Sequence, residues 1–505
     1  MKKGQEYTGT VTEVEFPNKG QVHVETENGE EICTVKDTYT GQTVRFRVHK
    51  KRGGRTEGIL SEVLKRAASE IDPPCPHFGS CGGCTWLNLP YEEQLALKES
   101  QVRALLAEAG VPDQVFEGIK GSPVTQGYRN KMEFSFGDAL KDGPLELGLH
   151  KKGSFYDVIS VPHCRIVDND YRQILTETLS YFRGKETPYF HKRTHQGFLR
   201  HLLIRKAAKT GELLVDLVTT SQFPPETICT EISLLEDWKN LLLERKLQGR
   251  IVGILHTVND SPADAVKDEH TTVLYGQDYF EEELSGLRFK ITPFSFFQTN
   301  TLSAEVVYDT AAEYAQEALS AVNATGETPF DPVLFDLYSG TGTIAQLMAR
   351  QLADLSPRVI GVEIVPEAVQ AARENAAANG LDNCSFIAGD VLQVLDEIVQ
   401  KPDLVILDPP RDGLHPKAIE KLMRYELPYI VYISCKPTSL ARDLAAFAAH
   451  GYQVKRACAI DQFPGAGHVE SCVLLQRVSN TRPKAITLDV EMEDYYRIKG
   501  NRTND

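Results

Sequence analysis

Acidic side chains follow several apolar segments in the C-terminal half of the chain, where they could bind a nucleoside. Glu363 ends VIGVE, Asp390 ends FIAGD, and Asp408 follows the apolar run of DLVILDPP. Such runs predict parallel strands, and carboxylates at the carboxyl ends of parallel strands commonly accept hydrogen bonds from ribose or adenine. The segment FDLYSGTGTIAQL (335–347) precedes them and reads as a strand, a glycine turn and a helix start. We therefore predict a nucleoside-type cofactor at this sheet edge.

The glycine turn favours S-adenosylmethionine over a dinucleotide. It reads GTGT followed by Ile344 and Ala345, without the G-x-G-x-x-G spacing that brings backbone N–H groups to a pyrophosphate. S-adenosylmethionine contains no pyrophosphate. The motif after the fourth strand is Asp408-Pro409-Pro410-Arg411, and it lacks the aromatic residue with which amino-methylating enzymes stack a base. The sequence thus disfavours methylation of an exocyclic amino group.

A cysteine and a glutamate in the same half could carry a different methylation chemistry. Cys435 follows YIVYIS, and Glu470 begins the last apolar segment after a Gly-Ala-Gly turn. A thiolate added to C6 of uracil creates an enolate whose C5 attacks a methyl sulfonium, and a base must then remove the C5 proton. In this fold class the last strand runs antiparallel to the others. We therefore expect Cys435 and Glu470 to meet at one edge of the sheet.

At these segments the chain resembles a known family. FSFFQTN (294–300), DLYSGTGT, LDPPRDGL, SCKPTSLARDL and HVESCVLL are similar to motifs of the RNA uracil-5 methyltransferases, and most similar to their 23S ribosomal RNA branch. The resemblance implies that Cys435 is the nucleophile and Glu470 the proton acceptor. It implies that S-adenosylmethionine is bound by Gln298, Tyr338, Thr343, Glu363, Asp390 and Asp408. Lys436 and Thr343 each stand where the family frequently has Asn.

Three more cysteines lie within ten residues, in CPHFGSCGGC (75–84). Without an export signal, thiols, ligands or nucleophiles are expected rather than disulfides. We predict that Cys75, Cys81 and Cys84 bind a metal centre together with Cys164 of VPHCRIVD. The spacing leaves both zinc and an iron–sulfur cluster open, since each accepts four thiolates. The family resemblance, which pairs such a pattern with a later cysteine, implies a [4Fe-4S] cluster.

The patterns around these residues predict a multidomain α/β protein, because 505 residues exceed one hydrophobic core. Alternating segments in 1–66 predict an OB-like β-barrel that resembles the RNA-binding TRAM domain. Residues 67–287 predict a β-rich central domain with the iron–sulfur cluster and an RNA-binding surface, and a helix at about 91–112 could pack on the catalytic domain. Residues 288–480 alternate strands with Ala-rich helices and predict a class I, Rossmann-like methyltransferase domain. Residues 481–505 form a tail to which we assign no function.

Charge and composition constrain the partners. The net charge of −15 argues against a nucleic-acid partner, yet two windows contain no acid: RFRVHKKRGGR from Arg45 and HKRTHQGFLRHLLIRKAAK from His191. We interpret them as RNA contacts, with Arg129 and Lys131 as further candidates for holding an extruded strand. The chain shows neither a signal peptide nor an apolar run long enough to span a membrane, which predicts a soluble, cytoplasmic protein without a membrane partner. We expect a monomer.

The sequence features bear differently on four alternative functions. A cytosine-5 methyltransferase would show a Pro-Cys nucleophile at the fourth strand, where this chain has Asp408-Pro409-Pro410. A radical enzyme with an iron–sulfur cluster would show C-x3-C-x2-C, whereas this chain has C-x5-C-x2-C. A non-catalytic RNA-binding protein would not need both Cys435 and Glu470. A transfer RNA uridine-5 methyltransferase stays open, since one sequence does not distinguish it from the favoured 23S ribosomal RNA enzyme.

Overall fold

The computed structural model of the chain describes residues 1–27, 29–224, 230–263, 270–324, 331–398 and 400–478. The tail assigned to 481–505 lies outside these residues. Within them, no helix is long and apolar enough to cross a membrane.

The N-terminal residues form a closed five-stranded barrel, in the order β1-β2-β3-β5-β4. Its strands are β1 (Glu6–Glu15), β2 (Lys19–Thr26), β3 (Gly29–Lys36), β4 (Thr43–Arg52) and β5 (Arg55–Lys65). Along β4, Val44, Phe46 and Val48 are buried while Arg45 and Arg47 are exposed, because successive side chains of a strand point to opposite faces. The predicted barrel is confirmed.

A helix and a short strand connect the barrel to the remaining chain. They are α1 (Tyr91–Glu108) and β6 (Phe116–Lys120), separated by a 3₁₀ turn at Asp113–Val115. Val102 and Leu106 of α1 pack with Phe116 in the core of the C-terminal domain. Residues 116–120, assigned above to the central region, form an edge strand of the C-terminal sheet. The reason is that the apolar side of α1 needs a partner surface, which the C-terminal domain supplies.

The central region is a seven-stranded sheet in the order β13-β12-β11-β10-β7-β8-β9. Its elements are β7 (Lys131–Asp138), β8 (Leu145–His150), β9 (Val158–Ser160), α2 (Asn169–Gly184), β10 (Leu199–Lys206), β11 (Glu212–Thr219), α3 (Glu231–Leu243), β12 (Arg250–Val258) and β13 (His270–Gly276). Phe182 of α2 and Trp238 of α3 pack against the sheet in one core with Phe134 and Leu202. A hairpin of β14 (Phe280–Leu284) and β15 (Leu287–Ile291) follows and spans the boundary predicted at 287.

The C-terminal domain is an eight-stranded sheet in the order β18-β17-β16-β19-β20-β22-β21-β6. Its elements are α4 (Thr301–Asn323), β16 (Val333–Leu337), α5 (Thr343–Gln351), a 3₁₀ turn (Ala353–Leu355), β17 (Arg358–Glu363), α6 (Pro366–Ala378), β18 (Cys384–Ala388), α7 (Val391–Glu397), β19 (Leu404–Leu407), α8 (Pro416–Met423), β20 (Tyr429–Ser434), α9 (Pro437–Ala449), β21 (Tyr452–Ile460) and β22 (Glu470–Arg477). The strands β16 to β20 are parallel, and β22 is antiparallel to β20.

Both faces of this sheet are covered by helices. Leu334 and Ile406 pack with α4, α5 and α6, whereas their neighbours Phe335 and Val405 pack with α1, α7, α8 and α9 on the other face. Strands buried on both sides must be apolar throughout, which explains the runs VLFDL and LVIL. The predicted α/β methyltransferase fold with its antiparallel last strand is confirmed.

A buried ion pair joins α1 to the loop that follows β21. Lys98 Nζ lies 2.6 Å from Asp461 Oδ1, and neither side chain is exposed to solvent. Lys98 also donates a hydrogen bond to the carbonyl of Phe463, at 3.1 Å. The pair therefore fixes the loop 461–469, which leads directly to Glu470.

We expect Lys98→Met to lower the free energy of unfolding by about 3–5 kcal/mol, because the buried carboxylate of Asp461 then has no countercharge. The measurement is the denaturant midpoint of the full-length chain. Lys141→Met is the matched control, since Lys141 and its neighbour Asp142 are largely exposed and such pairs contribute at most about 1 kcal/mol. Equal midpoints for the two variants would contradict a role of the Lys98–Asp461 pair in stability.

Candidate active site

Five functional candidates lie at one edge of the C-terminal sheet. Tyr338, Asp408 and Cys435 directly follow β16, β19 and β20, and Glu363 ends β17. Because these strands are parallel, their carboxyl ends meet at this edge. The antiparallel β22 begins there with Glu470, and its Ser471 pairs with Ser434 of β20. The register therefore brings Glu470 next to Cys435.

Burial and the repulsion between negative charges raise the pKa values of Glu470 and Cys435. Glu470 is 4% exposed, and burial, then the negative charge of Asp408, raises its pKa to about 8. Burial also raises the pKa of the Cys435 thiol to about 11, with Glu470 and Asp408 contributing after it. Arg411 acts in the opposite direction and lowers both pKa values. Cys435, Glu470, Asp408 and Arg411 thus interact within one partly buried site.

Asp408 links this site to a second buried acid. Burial, then the charge of Asp336, raises the pKa of Asp408 to about 7. Asp336 is buried and accepts hydrogen bonds from Ser339 Oγ at 2.7 Å and from the Ala345 N–H at 3.0 Å. It therefore holds the glycine turn in place. Burial raises the pKa of Asp336 itself to about 6.

A cavity of about 820 Å³ opens beside Asp408. Its wall includes the predicted cofactor residues Tyr338, Glu363 and Asp408, together with Phe294 and Phe296. Tyr338 has φ of 68°, a left-handed conformation that costs energy for any residue with a Cβ. This turn directs the backbone around the cavity mouth. The volume and the aromatic and acidic lining suit a nucleoside with an amino-acid chain.

Glu363 holds the cavity rim through both carboxylate oxygens. They accept the N–H groups of Gly340 and Val365, each at 2.9 Å. Each carboxylate oxygen has a second lone pair, so Glu363 can still accept hydrogen bonds from ribose hydroxyls.

The structure includes the other three predicted cofactor residues, Asp390, Thr343 and Gln298. None of the three lines this cavity. Asp390 caps α7 by accepting the Leu392 N–H at 2.7 Å, and its charge reaches Tyr338. Thr343 is the first residue of α5 and is buried, with its hydroxyl 3.5 Å from that of Thr341. Gln298 Oε1 lies 3.5 Å from Gln462 Nε2, and its side chain hydrogen-bonds Tyr308.

Sequence reasoning missed two residues of this site. Asp336 lies within FDLYSGTGTIAQL (335–347). The signal that could have identified it is an acid inside the apolar strand VLFDL. Tyr308 lies on α4 and is buried, and burial, then the charges of Asp408 and Glu470, raise its pKa. Its helix is Ala-rich and ordinary, so no sequence pattern identifies Tyr308.

The four cysteines of the predicted metal centre converge on one apolar cavity. Cys75, Cys81, Cys84 and Cys164 line it together with Leu149 and other apolar side chains. Burial, then the three other thiols, raises the pKa of Cys84 to about 12. The N–H of Gly83 donates to Cys81 Sγ at 3.3 Å. Every cysteine in the described residues is a free thiol, and no group of three or more His, Cys, Asp or Glu side chains there is arranged as a site for a metal ion.

The cysteine segment, residues 75–86, also contacts the loop before Glu470. The N–H groups of Thr85 and Trp86 donate to the Gly465 carbonyl at 2.8 and 2.9 Å. Gln94 Oε1 of α1 accepts the N–H of the same glycine at 2.7 Å. The segment that carries three of the cysteines therefore helps to hold the approach to Glu470.

The basic window from His191 does not form one continuous surface. Arg200 and Arg205 are buried and donate to backbone carbonyls, at 2.6 Å to Asn259 and 2.7 Å to Thr292. Lys206 pairs with Asp168 and Asp170, and Lys209 with Glu305. Most of these cations lie on β10, an interior strand of the sheet, where they must satisfy buried acceptors.

The basic run of the barrel is partly neutralised by acids of neighbouring strands. Arg45 pairs with Glu62 at 2.9 Å, Lys50 with Glu57 at 3.2 Å and Lys51 with Glu31 at 3.7 Å. The run itself contains no acid, but cross-strand pairing supplies several. This run is therefore less positive than its sequence suggests.

Comparison with known proteins identifies the family. The family model described as tRNA (Uracil-5-)-methyltransferase matches residues 265–478. An uncharacterized RNA methyltransferase of Clostridium tetani is 44% identical over 94% of this chain and 99% of its own length. One of Caldanaerobacter subterraneus subsp. tengcongensis is 46% identical over 94% of this chain and 100% of its own.

The fold has a counterpart of similar extent among solved structures. The crystal structure of Pyrococcus abyssi tRNA (uracil-54, C5)-methyltransferase in complex with S-adenosyl-L-homocysteine covers 93% of this chain and 100% of its own, with a TM-score of 0.68 and 23% identity. At that identity the likeness establishes the shared fold. From the family model and the RNA methyltransferase relatives together, the chain belongs to the S-adenosylmethionine-dependent RNA uracil-5 methyltransferase family.

Proposed function

We propose that the protein methylates C5 of a uridine in 23S ribosomal RNA, with Cys435 as nucleophile and Glu470 as base. One observation carries the proposed chemistry, whereas the choice of 23S ribosomal RNA rests on the motif resemblance given under the sequence analysis. The antiparallel pairing of Ser434 with Ser471 puts Cys435 and Glu470 side by side, next to Asp408 on the wall of the cofactor cavity. A nucleophile, a base and a methyl-donor site at one sheet edge meet the geometric requirement of this reaction.

The proposed steps balance as follows. Cys435 releases its proton to solvent, and the thiolate sulfur bonds to C6 of the uracil while the C5–C6 electron pair moves onto C5 and O4 as an enolate. Bound S-adenosylmethionine supplies an electrophilic methyl sulfonium, and C5 takes the methyl while S-adenosylhomocysteine leaves. Glu470 then removes the C5 proton, and the C6–sulfur bond breaks with return of the thiolate.

The raised pKa of Glu470 suits this role. A base is most effective when its pKa lies near the working pH, and burial brings that of Glu470 to about 8. Arg411 lowers the pKa of Cys435, so it favours the thiolate that must attack.

Tyr338, Glu363 and Asp408 are the proposed cofactor contacts on the cavity wall. Asp390, Gln298 and Thr343 lie outside the cavity wall and are proposed as further cofactor contacts. Of these three, Asp390 is close enough to Tyr338 to affect its ionisation, since burial, then the charge of Asp390, raises the pKa of that tyrosine. The Pyrococcus abyssi enzyme shares the fold and is in complex with S-adenosyl-L-homocysteine, which supports S-adenosylmethionine as the cofactor. Every proposed group comes from one chain, and we propose that the protein acts as a monomer.

The same proposal assigns a [4Fe-4S] cluster to Cys75, Cys81, Cys84 and Cys164. Four thiols around one apolar cavity form a donor set of the kind such clusters require. The N–H groups of Gly83, Ile166 and Val167 donate to two of the sulfurs and would stabilise them as thiolates. Four cysteine ligands would leave no iron open for substrate, so such a cluster would hold the segment that contacts Gly465.

We expect anaerobically purified protein to contain iron and to absorb visible light, and Cys81→Ser to lose both. Cys384→Ser is the matched control, because Cys384 is a half-buried free thiol on β18, in the other domain. Metal content and the absorption spectrum are the measurements. A colourless wild-type protein that contains zinc would contradict the cluster assignment.

A transfer RNA substrate is the second candidate. Two findings favour it: the matching family model carries a transfer RNA name, and the structural counterpart methylates a transfer RNA. The N-terminal barrel resembles a TRAM domain and is proposed to contact RNA. This contact would serve a ribosomal RNA or a transfer RNA substrate.

The test incubates the protein with labelled S-adenosylmethionine and total RNA from a strain that lacks it, and then maps 5-methyluridine. Label in 23S ribosomal RNA is the expected result, and label only in transfer RNA would favour the second candidate. Absence of label from every uridine, with folded protein that contains its metal, would overturn the proposed activity.

A further inference from the structure

Two adjacent aromatic side chains are exposed on the central region. Phe155 and Tyr156 lie in the loop between β8 and β9, and they are 63% and 47% exposed. Their rings meet edge to face, with centroids 5.5 Å apart. Leaving two large aromatic rings in water forgoes the free energy that burial would provide, so a neighbouring pair of this kind indicates a binding surface.

Two cations lie over these rings. Lys192 Nζ is 4.8 Å from the centre of the Phe155 ring, and the guanidinium carbon of Arg193 is 4.4 Å from that of Tyr156. These four residues, Phe155, Tyr156, Lys192 and Arg193, are called the aromatic platform below. They come from two loops that are far apart in sequence, so folding rather than local composition creates the pattern.

The Phe155 ring has two neighbours besides Tyr156. The His150 ring lies parallel to it, with centroids 6.1 Å apart, and Lys192 Nζ is 3.2 Å from His150 Nε2. With these neighbours in place the Phe155 side chain is still 63% exposed, which leaves apolar ring area for contact with a nucleobase.

The platform adjoins the cysteine segment and the barrel. The N–H of Lys152 donates to the Ser80 carbonyl at 2.7 Å, and Lys152 Nζ is 3.2 Å from Asp37 of the barrel side. Lys152 and Gly153 also line a groove of about 1090 Å³ along the barrel. Its charged residues are the cations Lys19, Lys36, Arg55 and Lys152 and the acids Glu15, Asp37 and Glu57, with His49 as a further basic group.

We propose that the aromatic platform stacks unpaired bases of the RNA substrate while Lys192 and Arg193 contact the adjoining phosphates. The inference rests on the proposed function, because extruding a uridine leaves neighbouring nucleotides unpaired and in need of support. Stacking on aromatic rings tolerates any base, and cations beside the rings match a polyanion. In a chain with a net charge of −15, two cations placed over two partly exposed rings match a polyanion with flat bases, which favours RNA as the occupant.

The experiment measures binding of a fluorescent single-stranded oligouridine of about 16 nucleotides to the full-length protein without S-adenosylmethionine. Phe155→Ala and Tyr156→Ala should each weaken binding roughly tenfold, in line with the loss of one stacked base. Lys192→Met with Arg193→Met should also flatten the dependence of affinity on salt, by roughly 0.7 in the logarithmic slope for each lost phosphate contact.

Two controls distinguish stacking from a general effect on folding. Phe155→Tyr should retain the affinity, because a phenol ring stacks as a phenyl ring does. Leu140→Ala should leave it unchanged, since Leu140 is 72% exposed in the neighbouring loop but has no aromatic ring. Unchanged affinity of the two alanine variants would overturn the proposal, whether the surface then proved to bind a protein or another copy of the chain.

Failure of the platform and failure of the proposed activity give different results. If the platform is wrong, the alanine variants bind the oligouridine and methylate RNA as the wild type does. If the activity is wrong, the wild type transfers no methyl group, yet its affinity for the oligouridine still falls when the rings are removed.

Discussion

We expect Cys435→Ala to abolish methyl transfer, with a loss of at least roughly 10⁴-fold, because no other group at the site can add to C6. The covalent RNA adduct should disappear as well. The measurements are transfer of label from S-adenosylmethionine and the retention of RNA on the protein in a denaturing gel. Binding of S-adenosylmethionine should persist, since Cys435 does not line the cavity next to Asp408.

Cys384→Ser serves as the control for the loss of a thiol in the same domain. Cys384 begins β18 and is half-buried, away from the Cys435 group. We expect its activity to stay within a few-fold of the wild type. Near-normal turnover by Cys435→Ala would show that the covalent route proposed here is wrong.

The second large effect is expected from Glu470→Gln. Glutamine fits the same space but cannot accept the C5 proton, so the reaction should stop after methyl transfer. Turnover should fall by roughly 10²–10⁴-fold, and the methylated RNA should remain bound to Cys435. A denaturing gel that detects both the RNA and the labelled methyl group on one band measures this intermediate.

The pH dependence offers an independent check on Glu470. Its pKa is raised to about 8, so below that pH it holds a proton and cannot act as a base. Turnover of the wild type should therefore rise as the pH passes about 8, and it should keep rising toward about 11 as the Cys435 thiol ionises. Glu420→Gln, on the exposed side of α8, should reproduce the wild-type profile. Release of the product by Glu470→Gln at the wild-type rate would contradict the role of Glu470.

The same shift affects stability with a definite sign. The folded protein binds the Glu470 proton more tightly than the unfolded chain, whose pKa is near 4.5. This contribution is present at low pH and is lost as the pH rises from 4.5 toward 8. Glu470→Gln should therefore melt above the wild type at alkaline pH and close to it at acidic pH. That result would also show that the variant is folded.

Several parts of the fold and site follow from local sequence. Alternating residues identify the barrel strands, and apolar runs followed by acids identify β17 and β19. In parallel strands the carboxyl ends meet at one edge, which is why the sequence alone predicts that Glu363, Asp408 and Cys435 lie together. The short spacing of Cys75, Cys81 and Cys84 similarly places three thiols in one segment. These predictions succeed because periodicity and spacing report directly on burial and on local reach.

Other features depend on contacts between distant segments. Residues 116–120 were assigned to the central region, yet they complete the C-terminal sheet beside β21. Arg200 and Arg205 read as a basic surface, whereas the sheet buries them. Phe155 and Lys192 show no relation in sequence, but two loops bring them together. A local sequence pattern shows which side chains are apolar and which are polar. It does not show which distant segments pack against one another.

Local sequence is enough to predict which residues carry the proposed chemistry and which strands bear them. How these groups affect one another depends on the packing of distant segments. The pairing of Ser434 with Ser471 sets Glu470 beside Cys435, and burial with Asp408 then raises the pKa values of both. The physical reason is that ionisation depends on desolvation and on charges a few ångströms away, and these arise only when distant segments pack together.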